Sequence, residues 1–214
     1  MCHTDDMATA PVAPVGRPRQ FDQATERKLL LDAALKVMAA NGYATANVAD
    51  VLAESGLNTR SFYRHFRTKN DLFLAMFSRD AHAVGRQITK AVSAAKDPVE
   101  ALGVWLDSYL DIFFEPRRAA RVAVLQSPAA RSAEGYDEAL SAARELLIAP
   151  LITLLSEGAE SEVMTSPDPE HDALTVLALV SSVTDPSWLG QHQSRSDARA
   201  HIMRFIAPAL GLAT

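Results

Sequence analysis

Residues 45–69 read T-A-N-V-A-D-V-L-A-E-S-G-L-N-T-R-S-F-Y-R-H-F-R-T-K, and this stretch decides the fold of the N-terminal third. Val48, Val51 and Leu52 recur at helical spacing behind a Thr45 or Asn47 cap. Ser55-Gly56 then turns the chain, glycine accepting a positive φ that a side chain resists. Asn58 caps a second helix to about residue 66, with Leu57, Phe62 and Phe66 facing inward. What remains on that helix is Thr59, Arg60, Ser61, Tyr63, Arg64 and His65, which no core requires. Two helices about a glycine turn, the second bearing cations and hydroxyls, form a unit able to enter a DNA major groove.

Working outward, Leu30, Ala34, Val37 and Met38 predict a preceding helix from about residue 25, stopped by Asn41-Gly42. Thr68 with Asp71 three residues later predicts a helix start. Leu72, Phe73, Met76, Phe77, Val84, Ile88 and Val92 carry that helix to about residue 95 as a connecting rod. Asp97-Pro98 opens another to about Phe114. A short helix (117–126), a long one (132–156) that Pro150 is expected to kink, and two final helices (170–184, 197–211) complete the pattern. No alternating run reads as a strand, so the fold class is all-α: a three-helix module over 21–68, then a bundle over 69–214.

The chain has 214 residues and a formal charge of −5, which by itself argues against a nucleic-acid partner. The distribution reverses this. Residues 16–70 hold nine Lys/Arg against five Asp/Glu, and the remainder carries net −9. Salt screens charge beyond about 10 Å, so the local field decides. Residues 1–20 read as a disordered arm in which Arg17 and Arg19 of Gly16-Arg17-Pro18-Arg19 either lie in a minor groove or are solvated. That arm lacks the pattern of a secretory leader, apolar runs break before the roughly 18 residues that span a bilayer, and Cys2 is the only cysteine. A cytoplasmic setting without membrane contact is expected.

Chemistry is sparse. The six histidines show no zinc-site spacing, and no nucleophile–base pair or nucleotide-binding glycine loop stands out. Neither a catalytic residue, a metal site nor a cofactor is expected. DNA contacts are expected from Thr59, Arg60 and Ser61 to bases, with Arg60 suited to guanine. Tyr63, Arg64, His65, Thr68 and Lys69 are expected at phosphates, with Thr45, Asn47 and Asn58 at helix N-termini.

The spacing from Thr45 through Gly56-Leu57-Asn58, Phe62-Tyr63-Arg64-His65-Phe66 and Lys69 resembles the signature of the tetracycline-repressor (TetR) family. The resemblance implies nine helices: three that bind double-stranded DNA, and six that bind an effector and dimerise. It also implies Tyr63 and Lys69 on phosphates, with Thr59 and Arg60 near bases. Two positions depart from the pattern: Leu52 replaces a small alanine, and Arg60 replaces a small residue. An apolar effector pocket is expected from Trp105, Tyr109, Phe113, Arg121, Leu140 and Leu147. Leu174, Leu177, Val180, Ile202, Phe205 and Ile206 either close the chain's own core or meet a second copy; the resemblance implies a homodimer. The function expected is a ligand-responsive regulator, most simply a repressor, at a near-palindromic operator. The alternative is a helical small-molecule-binding protein or enzyme whose helix-turn-helix is incidental.

Overall fold

The computed structural model describes residues 21–185 and 194–212. Among them lie ten helices and no strand: α1 (Gln23–Asn41), α2 (Val48–Ser55), α3 (Thr59–His65), α4 (Lys69–Val92), α5 (Pro98–Phe114), α6 (Pro116–Leu125), α7 (Pro128–Arg131), α8 (Tyr136–Glu160), α9 (Pro169–Thr184) and α10 (Arg195–Ala209). Ten replaces the nine implied by resemblance, because the connection between the expected helices 117–126 and 132–156 holds a single turn of its own, α7, capped by Ser127, and the long helix begins only at Tyr136. The arm with Arg17 and Arg19 lies outside the described residues.

Local chemistry sets these boundaries. Asn47 and Thr68 close reciprocal capping boxes with Asp50 and Asp71 at the starts of α2 and α4. Four helices open on a side-chain cap followed by proline: Asp97-Pro98, Glu115-Pro116, Ser127-Pro128 and Asp168-Pro169. A proline at the first helical position gives up an N–H that would go unpaired there anyway. Gly56, at φ 67°, makes the left-handed turn between α2 and α3.

Two apolar cores result. The first joins α1, α2 and α3 to the front of α4 through Leu30, Met38, Val51, Phe62, Phe73 and Met76, and reaches Ala130, Tyr136 and Ala143 in α7 and α8. The second joins α5, α8, α9 and α10 to Ile88 near the far end of α4. α4 therefore belongs to both, which makes it the mechanical link between them. Leu52 is half-buried against the first core. Arg195 and Arg199 fasten α10 to α5 through Asp107 and Asp111.

α8 corrects the expectation that no segment is long and apolar enough to cross a membrane: by length and composition it is. Its apolar side chains are engaged within the protein, with Ile148, Leu151, Leu154 and Leu155 in the second core. It remains helical through Pro150.

Candidate nucleic-acid interface and the cavity behind it

α3 is short, and its two sides are chemically distinct. Phe62 and Phe66 anchor it in the first core. Thr59, Arg60 and Arg64 are exposed, and Tyr63, 59% exposed, is no core residue. Its ring meets Phe62 edge-on at 5.3 Å between centroids, which fixes the direction of the phenol. Asn58 holds the start of the helix by accepting from the Ser61 amide at 2.9 Å.

A third side carries what the sequence reading missed. Glu26 of α1 is buried and collects three groups from α3. Ser61 Oγ donates to its Oε1 at 3.1 Å, Arg64 Nη1 to Oε2 at 2.8 Å, and His65 Nε2 lies 3.1 Å from Oε2. An ionised carboxylate only accepts, so that imidazole nitrogen carries the proton. Burial acts to raise the Glu26 carboxyl; the hydrogen bonds from His65 and Ser61, with the charge on Arg64, outweigh it and hold it below the usual range.

Two expected DNA contacts, Ser61 and His65, are thereby corrected. Ser61 is 4% exposed, and its hydroxyl is spent on Glu26, not on a base. The His65 side chain is buried against the same carboxylate. Arg64 keeps an exposed edge but is ion-paired. Helical geometry explains this, since residues 61, 64 and 65 fall on one face that turns toward α1.

The remaining expected contacts lie around the starts of α2 and α4. The Thr45 hydroxyl does not cap α2; it donates to the Asn41 carbonyl at the end of α1. Asn47 is the cap, accepting from Asp50. Thr68 is exposed and accepts from the Asp71 amide, which leaves its hydroxyl proton to donate. Lys69 Nζ donates to the carbonyls of Tyr43 and Ala44 at 2.9 and 3.2 Å and sits 4.7 Å from the Tyr43 ring centroid. Its charge is thus fixed where α1, α2 and α4 converge.

Behind this module, α4 to α9 enclose a cavity of about 620 Å³. Tyr109, Phe113, Arg121, Leu140 and Leu147 line it as expected, with Phe77, Ile112 and Tyr136. Trp105 does not. It is fully buried in the second core, and its indole donates to the Leu147 carbonyl at 2.9 Å, so it supports the wall from behind. Tyr109 stacks between Trp105 and Phe113. Burial pushes its phenol up, partly countered by the Ser181 hydroxyl 3.0 Å away.

The expected dimer residues divide. Leu174 and Phe205 are 55% and 52% exposed. Leu177, Val180, Ile202 and Ile206 are buried in the chain's own second core and are corrected to that role. On α9 the inward stripe is Ala173, Val176, Leu177 and Val180, so Leu174 and Ala178 are left facing out.

Residues 30–76 match the model of bacterial regulatory proteins of the tetR family. Over that stretch, from α1 into α4, the chain is similar to that family. It is 32% identical over 107 residues to the HTH-type transcriptional regulator YezE of Bacillus subtilis (strain 168), a match that spans half of each chain. The fold resembles that of the regulator FadR from Bacillus subtilis solved with stearoyl-CoA: TM-score 0.69, 16% identity, 84% of this chain and 96% of that one. It also resembles a regulator from Saccharomonospora viridis solved with choline: TM-score 0.71, 18% identity, 87% and 98%.

Proposed function

We propose that this chain is a TetR-family, sequence-specific transcriptional repressor that binds DNA as a homodimer and is released by a small molecule in the cavity. The observation that carries the reading is the exposed side of α3. Thr59, Arg60 and Tyr63 stand free on a helix whose other two sides are fixed by Phe62 and Phe66 and by Glu26. A rigidly backed helix with a free polar edge can present Arg60 to a guanine, while Tyr63, Thr68 and the Lys69 charge meet phosphates.

The homodimer is supported by the exposed Leu174 and Phe205 on α9 and α10, which a second copy would cover. Two α3 helices would then address half-sites roughly 34–36 Å apart. A ligand shifts such a dimer only by its differential affinity for the DNA-free arrangement, typically about 1–3 kcal/mol. Ligands of both charge types occur in neighbouring folds, stearoyl-CoA in one and choline in the other, so likeness does not choose between them. The module calls for no cofactor and no enzymatic step, and the cytoplasm is the compartment where operator and regulator meet.

Selecting bound fragments from random and genomic DNA tests the reading. The expected product is a pseudo-palindrome with half-site centres one helical turn apart. Enrichment with no shared sequence would overturn it.

A further inference from the structure

The cavity has an uneven arrangement of charge. Five arginines from three helices stand around its apolar wall: Arg117, Arg118 and Arg121 on α6, Arg131 on α7 and Arg144 on α8. Two of the acids that line it are already committed. Glu115 accepts from the Arg117 and Arg118 amides at 3.2 and 2.8 Å to cap α6. Asp80 takes Arg79 Nε at 3.2 Å on Oδ1, and Arg79 is not part of the lining. With Asp137 and Asp185, four carboxylates stand against five guanidiniums in the lining, an excess of one positive charge beside an apolar wall.

Arg121 differs from the other four. Its Nη1 stands 3.5 Å from Asp80 Oδ2, and that oxygen is buried without a hydrogen-bond partner. Arg121 itself is half-exposed. A loosely held guanidinium beside an apolar cavity costs little to redirect toward a better acceptor, and a paired carboxylate or phosphate is such an acceptor.

Arg79 extends the chain of charges out of the cavity. Its Nε serves Asp80, and its Nη1 donates to Asp32 Oδ1 on α1 at 2.6 Å. If Arg121 leaves, Asp80 keeps only Arg79. Closing the Nε and Nη2 edge of the guanidinium squarely onto Asp80 swings Nη1, and the 2.6 Å bond to Asp32 is strained by that swing.

We infer that the cavity takes an amphipathic anion, an apolar body with a carboxylate or phosphate head drawn to Arg121 and its neighbours. Recruitment of Arg121 is passed to α1 through Asp80, Arg79 and Asp32. The inference rests on the regulator reading for its consequence at DNA, but its ligand half is tested without DNA.

Replacing Trp188 by Phe leaves Trp105, behind the cavity wall, as the sole indole. That protein is titrated with four dodecyl compounds below micelle formation: dodecanoate, dodecyl phosphate, dodecanol and dodecyltrimethylammonium. Trp105 emission and thermal stabilisation are the readouts. Saturable binding of either anion, tighter than the alcohol and the cation, supports the proposal, and the stronger of the two identifies the head. Arg121→Gln is expected to weaken anion binding by about tenfold or more, as for a lost charge-assisted hydrogen bond, and to leave dodecanol binding unchanged. Cation or alcohol binding as tight as the anions', or Arg121→Gln within twofold of the parent for the anions, overturns it. For the relay, Asp32→Asn is expected to bind the anion normally while the anion no longer lowers affinity for the selected operator. Release undiminished in Asp32→Asn overturns the path through α1 and leaves the regulator reading standing.

Discussion

Gly85→Ala is expected to destabilise the protein even though alanine is the better helix former. In the interior of α4 the exchange favours folding by about 0.8–1.0 kcal/mol through helix propensity. Against this stands space. A Cβ at residue 85 would lie 3.1 Å from Leu146 Cβ and 3.3 Å from the Leu146 carbonyl oxygen in α8. Both are closer than the roughly 3.5–4.0 Å at which carbon contacts are favourable. The Leu146 backbone cannot swing away as a side-chain tip can. Pro150, four residues on, has no N–H to offer that carbonyl, so the empty place at Gly85 admits an oxygen released from the helical ladder.

Forcing a methyl into a packed contact costs about 1–3 kcal/mol, so a net loss of about 1 kcal/mol is expected. For a chain of this size that lowers Tm by about 2–4 °C. Gly103→Ala in α5 is the control. Its Cβ would meet only the Arg199 Nη2 tip, at 3.4 Å, and a flexible tip yields. The same propensity gain should therefore raise Tm by a similar amount. Thermal unfolding of both variants at one protein concentration decides the matter. If Gly85→Ala gains as much as Gly103→Ala, α4 and α8 are not in tight contact at this point.

Arg60→Ala should cost about 1–3 kcal/mol at one base pair and relax sequence preference there, whereas Tyr63→Phe should weaken binding uniformly across sequences; mobility shifts on a panel of single-base operator variants separate the two. Phe205→Glu should yield a folded monomer by sedimentation, whereas Val180→Ala, fully buried, should lower stability by about 1–3 kcal/mol with self-association intact. Because the Glu26 carboxyl is held below its ordinary 4.5, the stability it contributes is present above that value and fades as pH falls through its lowered one. Acid unfolding of the parent should be steeper below pH 4.5 than that of Glu26→Gln, and equal slopes would show that the carboxylate is not held this way.

Helices declared themselves in the sequence wherever boundary chemistry is local. Asn47, Asn58, Thr68 and Asp97 were legible as caps because a cap and its partner lie three residues apart. What was not legible depended on partners far along the chain. Ser61 and His65 looked free because the acceptor that occupies them, Glu26, is 35 and 39 residues away. Glu26 itself looked like one more charge in the first turn of a helix. Val180 and Leu174 are both apolar on one helix; only the direction of the second core separates the buried one from the exposed one. Trp105 has the composition of a cavity residue, yet its indole donates to a backbone carbonyl in α8.

α1 is where these distant partners converge, and its geometry explains how one helix serves two tasks. Glu26 holds α3, and Asp32 holds Arg79 of α4. Six residues separate them, roughly 9 Å along the axis and about 120° around it. One side of α1 therefore grips the helix offered to DNA, while another grips the rod that leads to the cavity. A small rotation of α1 cannot preserve both attachments. If Asp32 lets go as proposed, Glu26 still holds Ser61, Arg64 and His65, because three contacts to one buried carboxylate are harder to break together than a single half-exposed ion pair. Motion begun at Arg79 should consequently appear at α3 as a change of angle and not as melting of the helix.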